Sequence, residues 1–402
     1  MEVWMADLAR SLEKHGWHVT AALASGARFH SPKRYIAEHP HDDVISIDGR
    51  SGYRECRVVS VLDVLRRRKP DVVIPVGLAD ALYATALYKS RGGRCRLVAC
   101  VHGQSELIID DLAQCEGYLD RVISVSRKGV QSLKKRLPTL AERLVHIPTG
   151  VPSRRHESEL RKDAVQVVYV GRLDNAEKRI FDLVPLVKGL SDTNTVFHVV
   201  GDGVDAPALN ALLDEEARSG RVIFHGKLPR GALYDAIYPK MDALLVFSPS
   251  EGGPITAWEA LAHGVIPVVS DYCGRAEEGV LTDHASALVF PVGDVAAAER
   301  ALREVLAAKM DGGRGALRPV LPDDYRWDTF SRSWNEVLRC CIDCPERHAD
   351  GSLPAMVSDG RLARLNLGIT VSSRLRKLIG GEFLHEDAGG EWPHAYGCGK
   401  CS

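Results

Sequence analysis

Short apolar runs alternate with longer amphipathic stretches along most of this 402-residue chain. In the first half, runs such as Val72–Val76 and Leu97–Val101 are followed by segments with helical periodicity, for example Ala79–Lys89. In the second half, Val165–Val170 and Ala243–Phe247 repeat the pattern. Continuous apolar strands separated by helices predict parallel sheets that are covered by helices on both faces. The sequence therefore predicts an α/β protein.

The series of strands is interrupted near the middle of the chain by the polar stretch Ser153–Asp163. A stretch of this composition between two α/β series is typical of a domain boundary. We therefore predict an N-terminal α/β domain at residues 1–150 and a second at 164–310. A helix and an irregular, Cys-containing segment are expected at 323–402.

The first domain is expected to lack its usual first strand. Met5–His15 already has the pattern of an amphipathic helix, whereas a doubly wound domain normally opens with a strand and a Gly-rich turn. Either the start of the sequence lies after that strand, or the domain does without it.

Composition argues against several classes of protein. With 45% hydrophobic and 26% charged residues the chain has ordinary globular composition, and its net charge of −1 argues against bulk electrostatic capture of nucleic acid. No apolar run reaches the roughly 18 residues of a membrane span, and the start lacks the pattern of a signal peptide. Several of the 10 cysteines lie in apolar runs, which is typical of reduced core residues, so we expect a cytoplasmic protein.

Two strand-to-helix junctions of the second domain carry candidate ligand-binding residues, since such folds bind ligands at the carboxyl edge of the sheet. The loop Gly171–Lys178 follows the run Val165–Val170 and carries Arg172 and Lys178. Two cations on one loop would suit a diphosphate, although a solvated basic loop is the commoner explanation. Gly201–Gly203, after the next strand, would permit close approach of a ligand to the backbone, but most such stretches are tight turns.

A third junction, Ser250–Glu259, combines free backbone amides with two carboxylates. A proline fits the first helical turn, so the amides of Gly252–Ile255 would point towards an anion or towards sugar hydroxyls. Glu259 lies just over a turn into the helix, beneath Thr256, where it could accept hydrogen bonds from a ribose, while Glu251 would lie near a bound sugar. Alternatively, both glutamates only cap the helix and favour its dipole.

The two glutamates, separated by seven residues within Glu251–Asp271, resemble the signature of the retaining glycosyltransferases of the GT-B fold, family 4 type (glycosyl transferases group 1). Further stretches are similar to motifs of that family, in the same order: Ile147–Gly150, Val170–Lys178, Val200–Gly203 and Val292–Asp294. The resemblance covers roughly residues 1–335. It implies two Rossmann-like domains facing a cleft, with the nucleotide-sugar donor on the second.

The resemblance also implies roles for particular residues. Arg172 and Lys178 would neutralise the donor diphosphate, and Glu259 would hold the ribose. Ser126–Lys128 would line the acceptor side. His102 would face the donor sugar, although a lone histidine at a strand end is more often a core or surface residue. The catalytic set is then His102, Arg172, Lys178 and Glu251, and the donor-binding set is Gly171, Arg172, Lys178, Gly201, Gly203, Glu251, Gly252, Gly253, Pro254, Ile255, Thr256 and Glu259.

The function implied by the resemblance is transfer of a hexose, with retention, from a UDP-, GDP- or ADP-sugar to a saccharide or lipid-linked acceptor in polysaccharide or envelope biosynthesis. No metal or other cofactor is expected, because the cations and helix amides could stabilise the departing diphosphate. The alternative is a catalytically impaired donor-binding subunit or scaffold of a glycosylation complex, which the missing first strand favours and the intact donor motifs oppose. Epimerisation or phosphorolysis on the same fold is a further alternative, but phosphorolysis would need a pyridoxal-phosphate lysine and a much longer chain.

Four cysteines near the end, Cys341, Cys344, Cys398 and Cys401, form two CxxC pairs. Four thiolates could hold a structural zinc ion, but the pairs lie much farther apart than the usual roughly 15–20 residues. Free thiols are therefore the expectation.

Three basic stretches, Arg66–Lys69, Lys134–Arg136 and Arg374–Lys377, are typical of solvated faces. They would also allow peripheral contact with the inner face of an anionic membrane if the acceptor is lipid-linked.

Overall fold

The computed structural model describes residues 2–25, 32–48, 53–103, 106–152, 164–282, 286–310, 317, 319–346, 353, 365 and 367–379. The chain divides into two compact units. The first comprises Met1–Val125, Gly129–Ile147 and the chain from Ser331 onwards, and the second comprises Ser126–Lys128 and Pro148–Phe330. The described residues after 330 thus belong to the first unit, whereas the sequence predicted a separate segment at 323–402.

The strands are short and apolar. They are β1 (Ala21–Ala24), β2 (Val44–Ile47), β3 (Val72–Val73), β4 (Arg96–Val101), β5 (Arg121–Ser124), β6 (Leu144–His146), β7 (Val165–Val170), β8 (Thr195–Val200), β9 (Val222–Gly226), β10 (Ala243–Val246), β11 (Ile266–Ser270) and β12 (Leu288–Phe290).

Helices separate most of these strands. They are α1 (Glu2–Lys14), α2 (Pro32–Glu38), α3 (Arg54–Arg68), α4 (Ala79–Ser90), α5 (Glu106–Gln114), α6 (Arg127–Arg136), α7 (Asn175–Lys178), α8 (Leu183–Gly189), α9 (Ala206–Leu212), α10 (Asp214–Arg218), α11 (Arg230–Ala232), α12 (Ile255–Ala262), α13 (Arg275–Glu278), α14 (Val295–Met310), α15 (Trp327–Asp343) and α16 (Ile369–Ile379).

In the first unit, β1 and β2 form a two-stranded parallel sheet, and a four-stranded parallel sheet has the order β3-β4-β5-β6. The first element that the structure describes is the helix α1, as its amphipathic pattern predicted. Helix α15 lies on α1, where the hydroxyl groups of the buried Ser11 and Ser331 are 2.5 Å apart. Helix α16 lies on α3, where the buried Arg376 pairs with the buried Glu55. These contacts explain why the described residues after 330 belong to this unit.

In the second unit a six-stranded parallel sheet has the order β12-β11-β10-β7-β8-β9. Every residue of β10 and β11 is buried, as expected of parallel strands with helices on both faces. Successive residues of β7 belong to different cores: Val167 packs with the cluster that includes Leu302 of α14, and Val168 packs with the cluster that includes Trp258 of α12. The predicted α/β fold with parallel sheets is confirmed.

The order of the sheet reverses direction between β7 and β10, which are hydrogen-bonded neighbours. In open α/β sheets, ligands bind in the crevice outside the carboxyl ends of the strands at such a switch point. The predicted diphosphate cations lie just after β7, and the two predicted glutamates lie after β10, Glu251 before helix α12 and Glu259 within it.

Candidate functional site

Lys178 and Glu251 meet at the switch point of the second sheet. The Lys178 ammonium lies 2.6 Å from Oε1 of Glu251, and both side chains are mostly buried. Asp174 positions the lysine, because its carboxylate caps α7 by accepting the backbone N–H groups of Ala176 and Glu177. Two predicted site residues from loops 73 residues apart are therefore in direct contact.

Arg172, the other predicted cation, lies on the same loop but pairs with Glu177. More than half of the Arg172 side chain is exposed. An exposed ion pair of this kind is worth little and exchanges readily with solvent or a ligand. Nothing in the one-dimensional motif indicated Glu177 as the partner.

Gly201 and Gly203 lie close to the backbone of the neighbouring loop. A Cβ added at Gly201, which has φ +148°, would lie 1.8 Å from the carbonyl oxygen of Gly171, and one added at Gly203 would lie 2.3 Å from that of Leu173. From the sequence, these glycines would either let a ligand approach the backbone or form a tight turn. In the structure both positions require glycine because the loop after β8 packs directly on the loop after β7.

The junction after β10 presents the start of helix α12. Pro254 is the N-cap residue, with an extended backbone, and Gly253 has a positive φ of 122°. The Pro254 side chain makes no capping hydrogen bond, and the first backbone N–H groups of a helix have no partner within it. The Gly252–Thr256 segment can therefore offer donors to an anion or to sugar hydroxyls.

Glu259, on the second turn of α12, is 5% exposed and accepts three hydrogen bonds from one segment of the chain. Its Oε1 accepts from the Arg230 guanidinium at 3.1 Å and from the Tyr234 hydroxyl at 2.8 Å, and its Oε2 accepts from the Tyr238 hydroxyl at 2.8 Å. Sequence reasoning missed these three donors. A buried carboxylate requires such partners, and two tyrosines four residues apart were the signal available in the sequence.

His102 lies in the first unit, at the end of β4, and the structure describes the predicted donor residues in the second unit. It lines a cavity of about 310 Å³, mostly apolar, together with Leu78 of the β3–α4 connection and Ile108 of α5. The Trp4 ring meets the imidazole edge-on, with centroids 4.4 Å apart. Burial lowers the pKa of His102 to about 4, so the ring is neutral at pH 7.

Of the residues predicted to line an acceptor, Ser126–Lys128, two contact the chain that follows β11, at Cys273 and at Glu278 of α13. The Arg127 backbone N–H donates to Oε1 of Glu278 at 2.8 Å, and the Lys128 ammonium lies 2.5 Å from the Cys273 sulfur. Ser126 is buried. Burial raises the pKa of the Glu278 carboxyl. The role of Ser126–Lys128 towards an acceptor stays a prediction.

Within the described parts of the chain, no group of three or more His, Cys, Asp or Glu side chains is placed to hold a metal ion. Cys341 is buried and Cys344 is partly exposed, with the Arg121 guanidinium 4.0 Å from the Cys344 sulfur. Cys398 and Cys401 lie outside the described residues, so the predicted pairing of the CxxC motifs is not tested.

Among the helices that the structure describes, none combines the length and the apolar character needed to cross a bilayer. The basic stretches are not all solvated faces, because Arg376 of the third stretch is buried in its pair with Glu55.

Two protein-family models match most of this chain. Residues 1–155 match the model of Glycosyltransferase Family 4, and residues 152–312 match the model of Glycosyl transferases group 1. The chain belongs to the group 1 (family 4) glycosyltransferases, which have the GT-B fold, as the sequence motifs indicated.

Two relatives carry the name lipopolysaccharide 1,6-galactosyltransferase. The one from Salmonella typhimurium is 29% identical over 217 residues, which are 52% of this chain and 58% of the relative. The one from Escherichia coli K12 is 26% identical over 285 residues, which are 68% of this chain and 76% of the relative. The match to the first therefore spans somewhat more than half of that relative's length.

A solved structure, Anabaena HepE in complex with UDP-glucose, superposes with a TM-score of 0.63 at 17% identity, over 84% of this chain and 95% of that one. At this identity the similarity shows the shared fold alone.

Proposed function

We propose that this protein transfers a hexose from a nucleoside-diphosphate sugar to a saccharide acceptor in the assembly of a surface polysaccharide, with retention of the anomeric configuration. The observation that carries the proposal is the contact between Lys178 and Glu251 at the switch point of the second sheet, with the buried Glu259 on the helix that begins beside it. These groups suit the three parts of such a donor. The cation suits the diphosphate, the first carboxylate and the free helix amides suit the sugar, and the second carboxylate suits the ribose.

Lys178 and Arg172 neutralise the donor diphosphate in this proposal. Negative charge grows on the leaving diphosphate as the glycosidic bond breaks, and cations fixed beforehand stabilise it. Lys178 is held by Glu251, which keeps the ammonium in place and prevents the carboxylate from repelling the donor. Arg172 leaves its exposed pair with Glu177 at little cost.

Glu259 binds the ribose hydroxyls, and Glu251 contacts the donor sugar together with the backbone N–H groups of Gly252, Gly253, Ile255 and Thr256. His102, which is neutral at pH 7, serves the sugar as a hydrogen-bonding group rather than as a cation. These roles follow the family resemblance, and the placement of Glu251 and Glu259 in the second unit is compatible with them.

The names of the relatives support a UDP-hexose as the donor. Two relatives are named galactosyltransferases of lipopolysaccharide, and Anabaena HepE holds UDP-glucose. We therefore propose UDP-galactose or UDP-glucose as the donor and a lipopolysaccharide-type saccharide as the acceptor. Peripheral contact with a membrane would follow if this acceptor is lipid-linked.

Thermal stabilisation by UDP, GDP, ADP and CDP tests the donor site. A ligand at a hundred times its dissociation constant adds about 2.7 kcal/mol to the free energy of unfolding. We expect UDP to stabilise the wild type and to have no such effect on Lys178→Met. The control is Arg218→Ala, which removes an exposed basic residue of the second unit that pairs with Asp214, away from the proposed site residues.

Hydrolysis and transfer assays with UDP-galactose and UDP-glucose then identify the sugar. Nucleotide binding without turnover of any sugar donor on a saccharide acceptor would favour the alternative, a donor-binding subunit without catalysis. If none of the nucleotides stabilises the protein, the proposed donor site is refuted.

A further inference from the structure

The carboxylate of Glu259 is held by a segment in which no sequence motif indicated a function. Arg230 begins α11, Tyr234 lies in the π-helical turn Leu233–Ile237, and Tyr238 follows directly. π-Helical turns occur frequently at functional sites, and this one brings two tyrosines four residues apart onto the same carboxylate. Both tyrosines are almost fully buried, at 4% and 0% exposed.

Both tyrosines can act towards Glu259 only as donors. Burial, together with the nearby Glu259, raises the pKa values of Tyr234 and Tyr238 far above that of a free tyrosine. Each hydroxyl therefore keeps its proton and donates it to the carboxylate. The rings of both tyrosines also pack against the imidazole of His263. The distance between ring centroids is 4.9 Å for Tyr234 and 5.1 Å for Tyr238, so this packing restricts rotation of both tyrosine side chains.

The three hydrogen bonds leave a defined part of the carboxylate open. A carboxylate has about four acceptor positions, two on each oxygen. Oε1 accepts from both Arg230 and Tyr234, and Oε2 accepts from Tyr238. Among the described residues, one acceptor position thus remains on Oε2, and its direction is set by the bond from Tyr238.

We propose that Tyr234 and Tyr238 are positioning residues for nucleotide recognition: they hold the Glu259 carboxylate so that its open Oε2 position accepts a ribose hydroxyl. The inference rests on the proposed role of Glu259 towards the ribose and adds to it the groups that orient the carboxylate. Because the tyrosines act through Glu259, their loss weakens recognition of the ribose and leaves recognition of the diphosphate unchanged.

The test is a comparison of two probes on the full chain by isothermal titration calorimetry. The probes are UDP, or whichever of GDP, ADP and CDP stabilises the wild type, and the 2′,3′-dideoxy form of the same nucleotide. The quantity compared is the ratio of the dideoxy dissociation constant to the ribonucleotide dissociation constant. The variants are Tyr238→Phe, Tyr234→Phe and Glu259→Gln. The matched control is Tyr272→Phe, a buried tyrosine of the same unit whose hydroxyl has no hydrogen-bond partner in the described chain.

For the wild type and for Tyr272→Phe we expect a ratio of about tenfold or more, the value of one hydrogen bond to a charged group. In Tyr238→Phe and Tyr234→Phe the ratio should fall to about threefold or less, because ribonucleotide binding weakens while dideoxy binding stays within about twofold. Glu259→Gln should give a similarly low ratio.

Other outcomes separate this inference from the proposed function. If the tyrosine variants weaken both probes equally, the tyrosines only support the fold, and the inference is wrong while the donor site stands. A wild-type ratio near one overturns the role of Glu259 towards the ribose and the inference with it. Absence of binding of every nucleotide to the wild type overturns the proposed function itself.

Discussion

Replacing Gly201 by alanine is expected to destabilise the second unit by about 2–5 kcal/mol. The added Cβ would lie 1.8 Å from the carbonyl oxygen of Gly171, a separation that real Cβ atoms do not show, so the backbone of one loop must move by more than an ångström. Overpacking of this kind costs about 1–3 kcal/mol. The positive φ of 148° adds about 1–2 kcal/mol for a residue with a side chain.

The matched control is Gly220→Ala, because Gly220 also has a positive φ, +80°, but a Cβ there meets no atom within 4 Å. Urea unfolding of both variants, compared at unchanged m-value, separates the backbone strain from the clash. We expect Gly201→Ala to lose about 1–3 kcal/mol more than Gly220→Ala, and to bind nucleotide more weakly because the loop that carries Arg172 must shift. Equal losses in the two variants would refute the close packing of these loops.

Two further predictions concern charge and protonation. Burial lowers the pKa of His198 to about 4 in the native state, where its ring is hydrogen-bonded to His225. In the unfolded chain the same histidine binds a proton from about pH 6.5 downwards, whereas in the native state it does not. Stability should therefore fall as the pH is lowered from 6.5 towards 4, by at most about 2 kcal/mol for this partly exposed pair, and urea unfolding of His198→Gln should show a smaller loss. Glu55→Ala leaves Arg376 buried without its ion-pair partner and should lower the free energy of unfolding, measured in urea, by about 3–5 kcal/mol. The control Arg218→Ala, at an exposed ion pair, should lower it by less than about 1 kcal/mol. A similar small loss in both variants would contradict the buried pair.

The sequence by itself determined the class of fold and the junctions at which to look. Apolar runs such as Val165–Val170 became parallel strands because a strand buried on both faces must be apolar along its whole length. The loops that carry Lys178 and Glu251 could be identified because such loops follow the strands directly, and the order of the family's motifs placed them on one domain. These are local properties, which a linear pattern records.

Only the tertiary structure decided which groups meet. Lys178 and Glu251 are 73 residues apart, and the donors to Glu259 lie 21–29 residues before it, so their contacts depend on strand order and helix packing rather than on spacing. The glycine at 201 is likewise required by a neighbouring loop, and the helix α16 packs on the first unit through Arg376 and Glu55. A sequence motif specifies chemical groups, whereas burial and approach between distant segments decide their partners, because those depend on how the whole chain packs.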